Sequence, residues 1–183
     1  MTYPVHTIET APDAAKPTLA AAQKGYGFVP NLLGVMANAP ALVSAYTTLS
    51  GIFDSASLSR AERQIVLLTT SYENDCAYCM AAHSAIAGMQ SVPQDVIEGL
   101  RAGQSLTDPK LEALRVFTRA VVVSRGWVSE AEKAAFFAAG YGEQQVLEVV
   151  LGVGLKTLSN YTNHIAETPL DAAFAPLAWS KAA

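Results

Sequence analysis

Cys76 and Cys79, the only two cysteines among 183 residues, stand three positions apart, and His83 follows four positions after the second. At the 3.6-residue period of an α-helix these three side chains share one narrow face. A thiol at the start of a helix sits among unpaired amides and at the positive end of the macrodipole, and both favour the thiolate. A thiolate attacks an O–O bond, and a second thiol one turn away captures the sulfenic acid before it oxidises further. An imidazole beside the pair carries protons near neutral pH. Glu73, three positions before Cys76, adds a carboxylate. Asp75 is expected to cap the helix that Cys76 opens, its carboxylate accepting from the first free amides.

The same side chains have other uses. Cys76, Cys79, His83 and Glu73 together are a possible metal-ligand set. Structural zinc sites usually draw thiolates from two separated knuckles, and the chain has no second C-x-x-C. No metal and no cofactor is therefore expected. Two inert core cysteines are the remaining alternative.

The bulk composition bounds the partners. Charged residues make up 15% of the chain against 51% hydrophobic, and mean hydropathy is +0.23. So apolar a surface-to-core balance points to burial between subunits, and a homo-oligomer is expected. Net charge is −4 with no basic run, so nucleic acid is not an expected partner. No basic stretch followed by an apolar run opens the chain, and the longest apolar run, 146–158, is interrupted by Glu148, two glycines and Lys156. It is too short and broken to span a bilayer, so no membrane association is expected. The expected compartment is cytoplasmic, where a close Cys pair is more often redox-active or metal-binding than a permanent staple.

The elements that must position these residues read as all-α, one domain over 1–183. Residues 1–15 form an extended arm with Pro4 and Pro12, and a short helix covers 14–23. Pro30 opens a helix, and Pro40 opens the next, to about Phe53. Ser59 with Glu62 three positions later is a capping box for the helix that delivers the chain to Glu73. The Cys helix covers 76–87 and stops at Gly88. Further helices are expected over 94–101, from Thr107 to Arg125, over 130–139 behind Ser129, and over 143–166. Helix 143–166 is apolar nearly all round, which suits a central helix or one shared between subunits. Gly152 and Gly154 inside it each cost about 1 kcal/mol relative to Ala, which suggests close backbone contact with a neighbour. No alternating strand pattern of useful length is present.

The C-x-Y-C-x-x-x-H segment from Cys76 to His83, within 59–87, resembles the alkylhydroperoxidase D-like branch of the carboxymuconolactone decarboxylase superfamily, and its single-domain "peroxidase-related" members in particular. Phe28-Val29-Pro30-Asn31-Leu32, Asn160-Tyr161-Thr162-Asn163-His164 and Pro169-Leu170-Asp171 resemble the same group. The resemblance implies an all-helical oligomer, and a peroxidase that uses a thiol reductant such as a dihydrolipoamide-like dithiol or a thioredoxin-like protein. It implies Cys79 as the peroxidatic residue, Cys76 as the resolving one and His83 as proton relay. The relay glutamate of that branch falls here on Gln64, which cannot exchange a proton as a carboxylate does. Glu73 or Glu62 is left to take the role, and Glu73 is the nearer along the chain. Tyr72, Tyr78, Phe28 and Tyr161 are candidates to wall an apolar pocket. His164, with Asn160 and Asn163, either borders that pocket or ties down a helix end.

The expected activity is reduction of a hydroperoxide through a C-x-x-C dithiol/disulfide cycle. Two other functions fit less of the pattern: a carboxymuconolactone decarboxylase-like lyase, and a non-catalytic helical oligomer whose Cys pair senses oxidation.

Overall fold

Side-chain caps set several of the helix starts. Ser59 Oγ accepts from Glu62 N at 3.3 Å while the Glu62 carboxylate takes Ser59 N at 2.7 Å, fixing the start of α4 (Arg60–Glu73). Ser129 and Glu132 repeat this reciprocal cap at α8 (Glu130–Ala138). Asp108 Oδ1 accepts from Lys110 N and Leu111 N at the head of α7 (Pro109–Val123). Pro40 occupies the first position of α3 (Pro40–Asp54), where its missing N–H costs nothing. Between and around these lie α1 (Lys16–Tyr26), α2 (Asn31–Met36), α5 (Ala77–Met89), α6 (Gln94–Ala102) and α9 (Glu143–Ala166), with a closing 3₁₀ turn at Ala172–Leu177. The computed structural model describes residues 3–181, and no strand occurs among them. The all-α expectation holds, with boundaries within a few residues of those read from the sequence.

The centre of the packing is α4. It lies against α3, α5, α6, α7 and α9, and every residue from Gln64 to Ser71 is buried. One apolar cluster gathers Phe53, Ile65, Leu68, Met80, Phe117, Phe136 and Leu155, with Phe136 stacked between Phe117 and Tyr141 at 4.3 and 4.5 Å. A second cluster holds Leu19, Leu32, Met36, Val43 and Phe174, and both cysteines belong to it.

The long α9 runs past α2, α3, α4, α5 and α7. Gly152 meets the expectation of close contact: a Cβ there would stand 2.7 Å from Val66 Cγ1 and 2.8 Å from Phe53 Cζ. Gly154 does not, because a Cβ there would meet open space within the chain.

The amino-terminal arm is held to α2 by His6 N donating to Gly34 O at 3.1 Å and by His6 Nε2 against Asn38 Oδ1 at 3.2 Å. The first two residues of the expected arm lie outside the described residues.

Candidate active site

The end of α4 and the start of α5 form one tight corner. Cys76 N donates to Ser71 O at 2.9 Å and Asp75 N to Tyr72 O at 3.1 Å, the paired bonds of a Schellman helix end. That motif needs a left-handed residue after the cap, and Asp75 supplies it with φ of 53°. Asp75 is therefore the closing residue of α4 and not the expected cap of α5. The cap position belongs to Cys76 itself, with φ −94° and ψ 92°, and its carbonyl accepts the helix's first hydrogen bond from Met80 N at 3.0 Å. Cys79 then falls on the first turn of α5, among amides that favour negative charge.

Both cysteines are free and each is only 1% exposed. They share one donor: Asn163 Nδ2, reaching in from α9, lies 3.2 Å from Cys79 Sγ and 3.6 Å from Cys76 Sγ. The pair is electrostatically unequal. Burial pushes the Cys79 thiol up, but the hydrogen bond from Cys76, the positive charge of Lys156 and the hydroxyl of Ser159 outweigh it, and Cys79 ionises well below the usual thiol range. Cys76 moves the other way, because it donates to Cys79, is itself buried and faces the charge of that thiolate.

His83 lies one turn beyond Cys79 on the same face of α5, and its Nδ1 stands 3.1 Å from Gln64 Oε1. Gln64 Nε2 in turn donates to Gln90 Oε1 at 3.2 Å, which fixes the amide with its oxygen toward the ring. The proton of a neutral imidazole then sits on Nδ1, and Nε2 is the basic nitrogen. Burial and the charge of Lys156 hold the ring neutral, well below its ordinary pKa.

Glu73, expected beside the thiols, ends α4 with its carboxylate on Arg119, whose Nε donates to it at 3.1 Å. Glu62 is engaged in its own cap, with Tyr141 and with Lys110. The group that meets His83 is Gln64, at the position where the resemblance leads one to look for a glutamate. Among the described residues no group of three or more His, Cys, Asp or Glu side chains is gathered to hold a metal ion.

The flanking segments converge as well. Tyr78 donates its hydroxyl to Asp171 and accepts from Leu32 N, while Asp171 also accepts from Asn31 N at 3.0 Å. Phe174 closes over Phe28 and Tyr78 with edge-on rings. Of the other aromatics proposed for a pocket wall, Tyr72 packs on Trp179 and Tyr161 is 54% exposed. The three polar residues near the end of α9 divide their work. Asn160 ties α9 to the α4–α5 corner through Asn74 Nδ2 at 2.9 Å, Asn163 reaches the thiols, and His164 is exposed.

One residue at the site was not anticipated there. Lys156, fully buried on α9, lies beside Cys79, with Tyr46 and Cys76 also in its field. Its signal in the sequence was the one lysine of a long, largely apolar helix.

Residues 40–120, which include the α4–α5 corner, match the family model described as the Carboxymuconolactone decarboxylase family. A search of curated protein sequences gives no match. Among solved structures, the chain is similar to the alkylhydroperoxidase AhpD core of an uncharacterized peroxidase-related protein from Ralstonia eutropha JMP134. The TM-score is 0.84 at 23% identity, over 94% of this chain and 93% of that one. An uncharacterized peroxidase-related protein from Silicibacter sp. TM1040 superposes with a TM-score of 0.81 at 20% identity, over 95% and 92%. A cysteine-to-alanine variant of the debrominase Bmp8, in complex with 2,3,4-tribromopyrrole, gives 0.76 at 18% identity, over 90% and 89%. These superpositions establish a common fold over at least 90% of the chain. The family match covers the helices that carry the dithiol, and the similarity in fold extends it to the helices on either side.

Proposed function

We propose that the protein is a thiol-dependent peroxidase that reduces hydroperoxides through a Cys79/Cys76 dithiol cycle. The reading rests on one observation: two free, buried thiols on one helix turn, with Cys79 favoured as thiolate and Cys76 as thiol. Such an asymmetry suits a nucleophile and a resolver. Cys79 attacks the terminal oxygen of the hydroperoxide and becomes a sulfenic acid as the alcohol leaves. Cys76 displaces water from that sulfur to form the disulfide, and neutral His83 takes the Cys76 proton and passes it to the departing hydroxide. An external dithiol of the dihydrolipoamide type, or a thioredoxin-like protein, reopens the disulfide. The apolar surroundings of the thiols favour an organic hydroperoxide. The cycle needs a reducing compartment, which agrees with the cytoplasmic placement expected from the sequence. No helix among the described residues is long and apolar enough to cross a membrane.

The protein is also proposed to work as a homo-oligomer. Along one face of α9, Leu147, Val150, Tyr161 and Ile165 are each more than half exposed, and Gly154 lies between them with open space above it. These positions share one side of the helix, as the residues of a helix-pairing seam do, so a second copy of α9 is their natural cover.

The deciding experiment is intact mass of the fully reduced protein after one equivalent of an organic hydroperoxide, then after dihydrolipoamide. Loss of two hydrogens, reversed by the dithiol, is expected. No mass change, or a stable oxygen adduct without a disulfide, overturns the reading.

A further inference from the structure

Two polar atoms beside the thiols are buried with no hydrogen-bond partner: Lys156 Nζ and Asn163 Oδ1. An amide oxygen without a donor, and an ammonium with only a thiolate for a partner, are each expensive in the interior. Both lie on α9, two turns apart on the same helix face, and both belong to side chains that already meet the dithiol. Asn163 donates its other amide atom to both sulfurs. Lys156 has its charge beside Cys79, its counter-ion, and no oxygen or nitrogen takes its protons. One orphan is a donor and the other an acceptor, and they flank the sulfur that gains an oxygen in the cycle.

We propose that Lys156 is a catalytic residue of the dithiol centre, its ammonium holding Cys79 as the thiolate and giving a proton to the leaving oxygen, with Asn163 Oδ1 accepting from the O–H of the hydroperoxide. The proposal deepens the peroxidase reading and rests on it for the identity of the substrate. Burial opposes the charge on Lys156, but the thiolate of Cys79, with Tyr46 and Cys76, keeps the ammonium protonated. The resting state is thus a buried ion pair, and a cation removed from such a pair leaves an uncompensated charge.

The protons and electrons balance over the cycle. The Cys79 thiolate attacks the terminal oxygen of ROOH, a sulfur–oxygen bond forms and the O–O bond breaks. The alkoxide takes the proton of Lys156 and leaves as ROH, so Cys79 is a sulfenic acid and Lys156 a neutral amine. Cys76 then attacks Cys79 sulfur, the sulfur–oxygen bond breaks, and the Cys76 proton leaves with the hydroxide as water. An external dithiol reduces the disulfide and releases two protons. One returns to Cys76 and the other to Lys156, while Cys79 is restored as the thiolate. No charged group is left in the interior without its partner at any stage.

The role of His83 fits the same scheme. The positive charge of Lys156 disfavours a second cation nearby and helps hold the imbalance that leaves the imidazole neutral. Lys156 serves the peroxide step, and His83 serves the resolving step.

The test follows the thiolate of the full-length reduced protein by its ultraviolet absorbance across pH, comparing wild type with Cys79→Ser. The wild type is expected to show one thiolate at neutral pH that Cys79→Ser lacks. Titration of that thiol at or above the free-cysteine value of about 8.5 overturns the role of Lys156, and this arm needs no lysine variant. Lys156→Met is then expected to lose the neutral-pH thiolate. Its first-turnover oxidation by cumene hydroperoxide should fall at least about tenfold at pH 7 and recover as pH rises, since each unit of thiol pKa is a factor of about ten in thiolate. A folded Lys156→Met with the wild-type rate and pH profile overturns the proposal. If the wild type holds the thiolate and Lys156→Met loses it, but neither is oxidised by peroxide, Lys156 keeps its place and the peroxidase reading fails instead.

Discussion

The imidazole of His83 meets the side-chain oxygen of Gln64, while the carboxylate of Glu73 faces Arg119. This arrangement separates two candidates for positioning the proton carrier. Glu73→Gln is expected to leave the rate of disulfide formation within about twofold of wild type, because its partner is a surface guanidinium. Gln64→Ala frees the ring and is expected to slow the resolving step by about tenfold or more. Stopped-flow oxidation of the two variants checks both, and a slower Glu73→Gln would route the proton through that carboxylate. His83 also leaves a mark on stability. Its imidazole stays neutral in the fold below its ordinary pKa, so the unfolded chain binds a proton that the native protein refuses. The resulting stability is fully present above about pH 6.5 and is lost as pH falls toward the folded value, by at most about 1.4 kcal/mol per unit. Urea midpoints between pH 7 and pH 5 should fall more steeply for wild type than for His83→Gln, and parallel curves would show that the half-buried ring takes up the proton. Cys76, Cys79 and His83 were legible in the sequence because they share one short helical period. Lys156 was not, because it reaches the thiols from α9, and Asn163, 84 positions from Cys79, was legible only as one of three residues that either border a pocket or tie down a helix end. A lone lysine in an apolar helix reads equally well as an interruption.

Helix starts were legible where a side chain makes the cap, as at Ser59, Asp108 and Ser129. The α4–α5 corner was not, because an Asp next to a helix serves equally as a cap for the following helix or as the left-handed end of the preceding one. Stability measurements separate the two roles of Asp75. As the closing residue of α4 it occupies a conformation that suits Gly better than any side chain, so Asp75→Gly should be as stable as wild type or gain about 0.5 kcal/mol. As an N-cap, the same change would lose the carboxylate's hydrogen bond to the first turn. Asp75→Val, β-branched and forced left-handed, should lose about 1–2 kcal/mol and disturb the Cys76 backbone that follows. Thermal melts of the two variants check this, and an Asp75→Gly variant less stable than wild type would restore the cap. The same corner explains why the dithiol is precise. Ser71, Asp75 and Cys76 share one hydrogen-bonded loop, and Asn160 pins it to α9 through Asn74, so hydrogen bonds tie the element that carries the thiols to the one that carries their donors.

At the scale of the whole molecule, the two glycines of α9 give opposite expectations from one helix. Gly152 faces Val66 and Phe53 inside the chain, and Gly152→Ala should cost about 1–3 kcal/mol by overpacking. Gly154 faces outward between Val150 and Tyr161, where a methyl group meets nothing of its own chain. In a monomer, Gly154→Ala should therefore stabilise α9 by about 1 kcal/mol. In a homo-oligomer paired along this face, the same methyl group would separate two closely approaching helices and weaken assembly. Leu147→Glu with Ile165→Glu places charges at both ends of the face and should dissociate such an assembly without entering the core, since both residues are largely exposed in one chain. Sedimentation velocity on these variants reads the outcome directly. Smaller particles for the double variant and a concentration-dependent loss of assembly for Gly154→Ala would place the subunit contact on α9. Unchanged size for both, with Gly154→Ala simply more stable, would leave α9 as an exposed apolar face of a monomer or move the contact elsewhere. Because Lys156, Asn160 and Asn163 project from the opposite side of this same helix toward the dithiol, a contact on α9 would also hold the donors of the site in register. Dissociation should then slow the first turnover as well as shrink the particle.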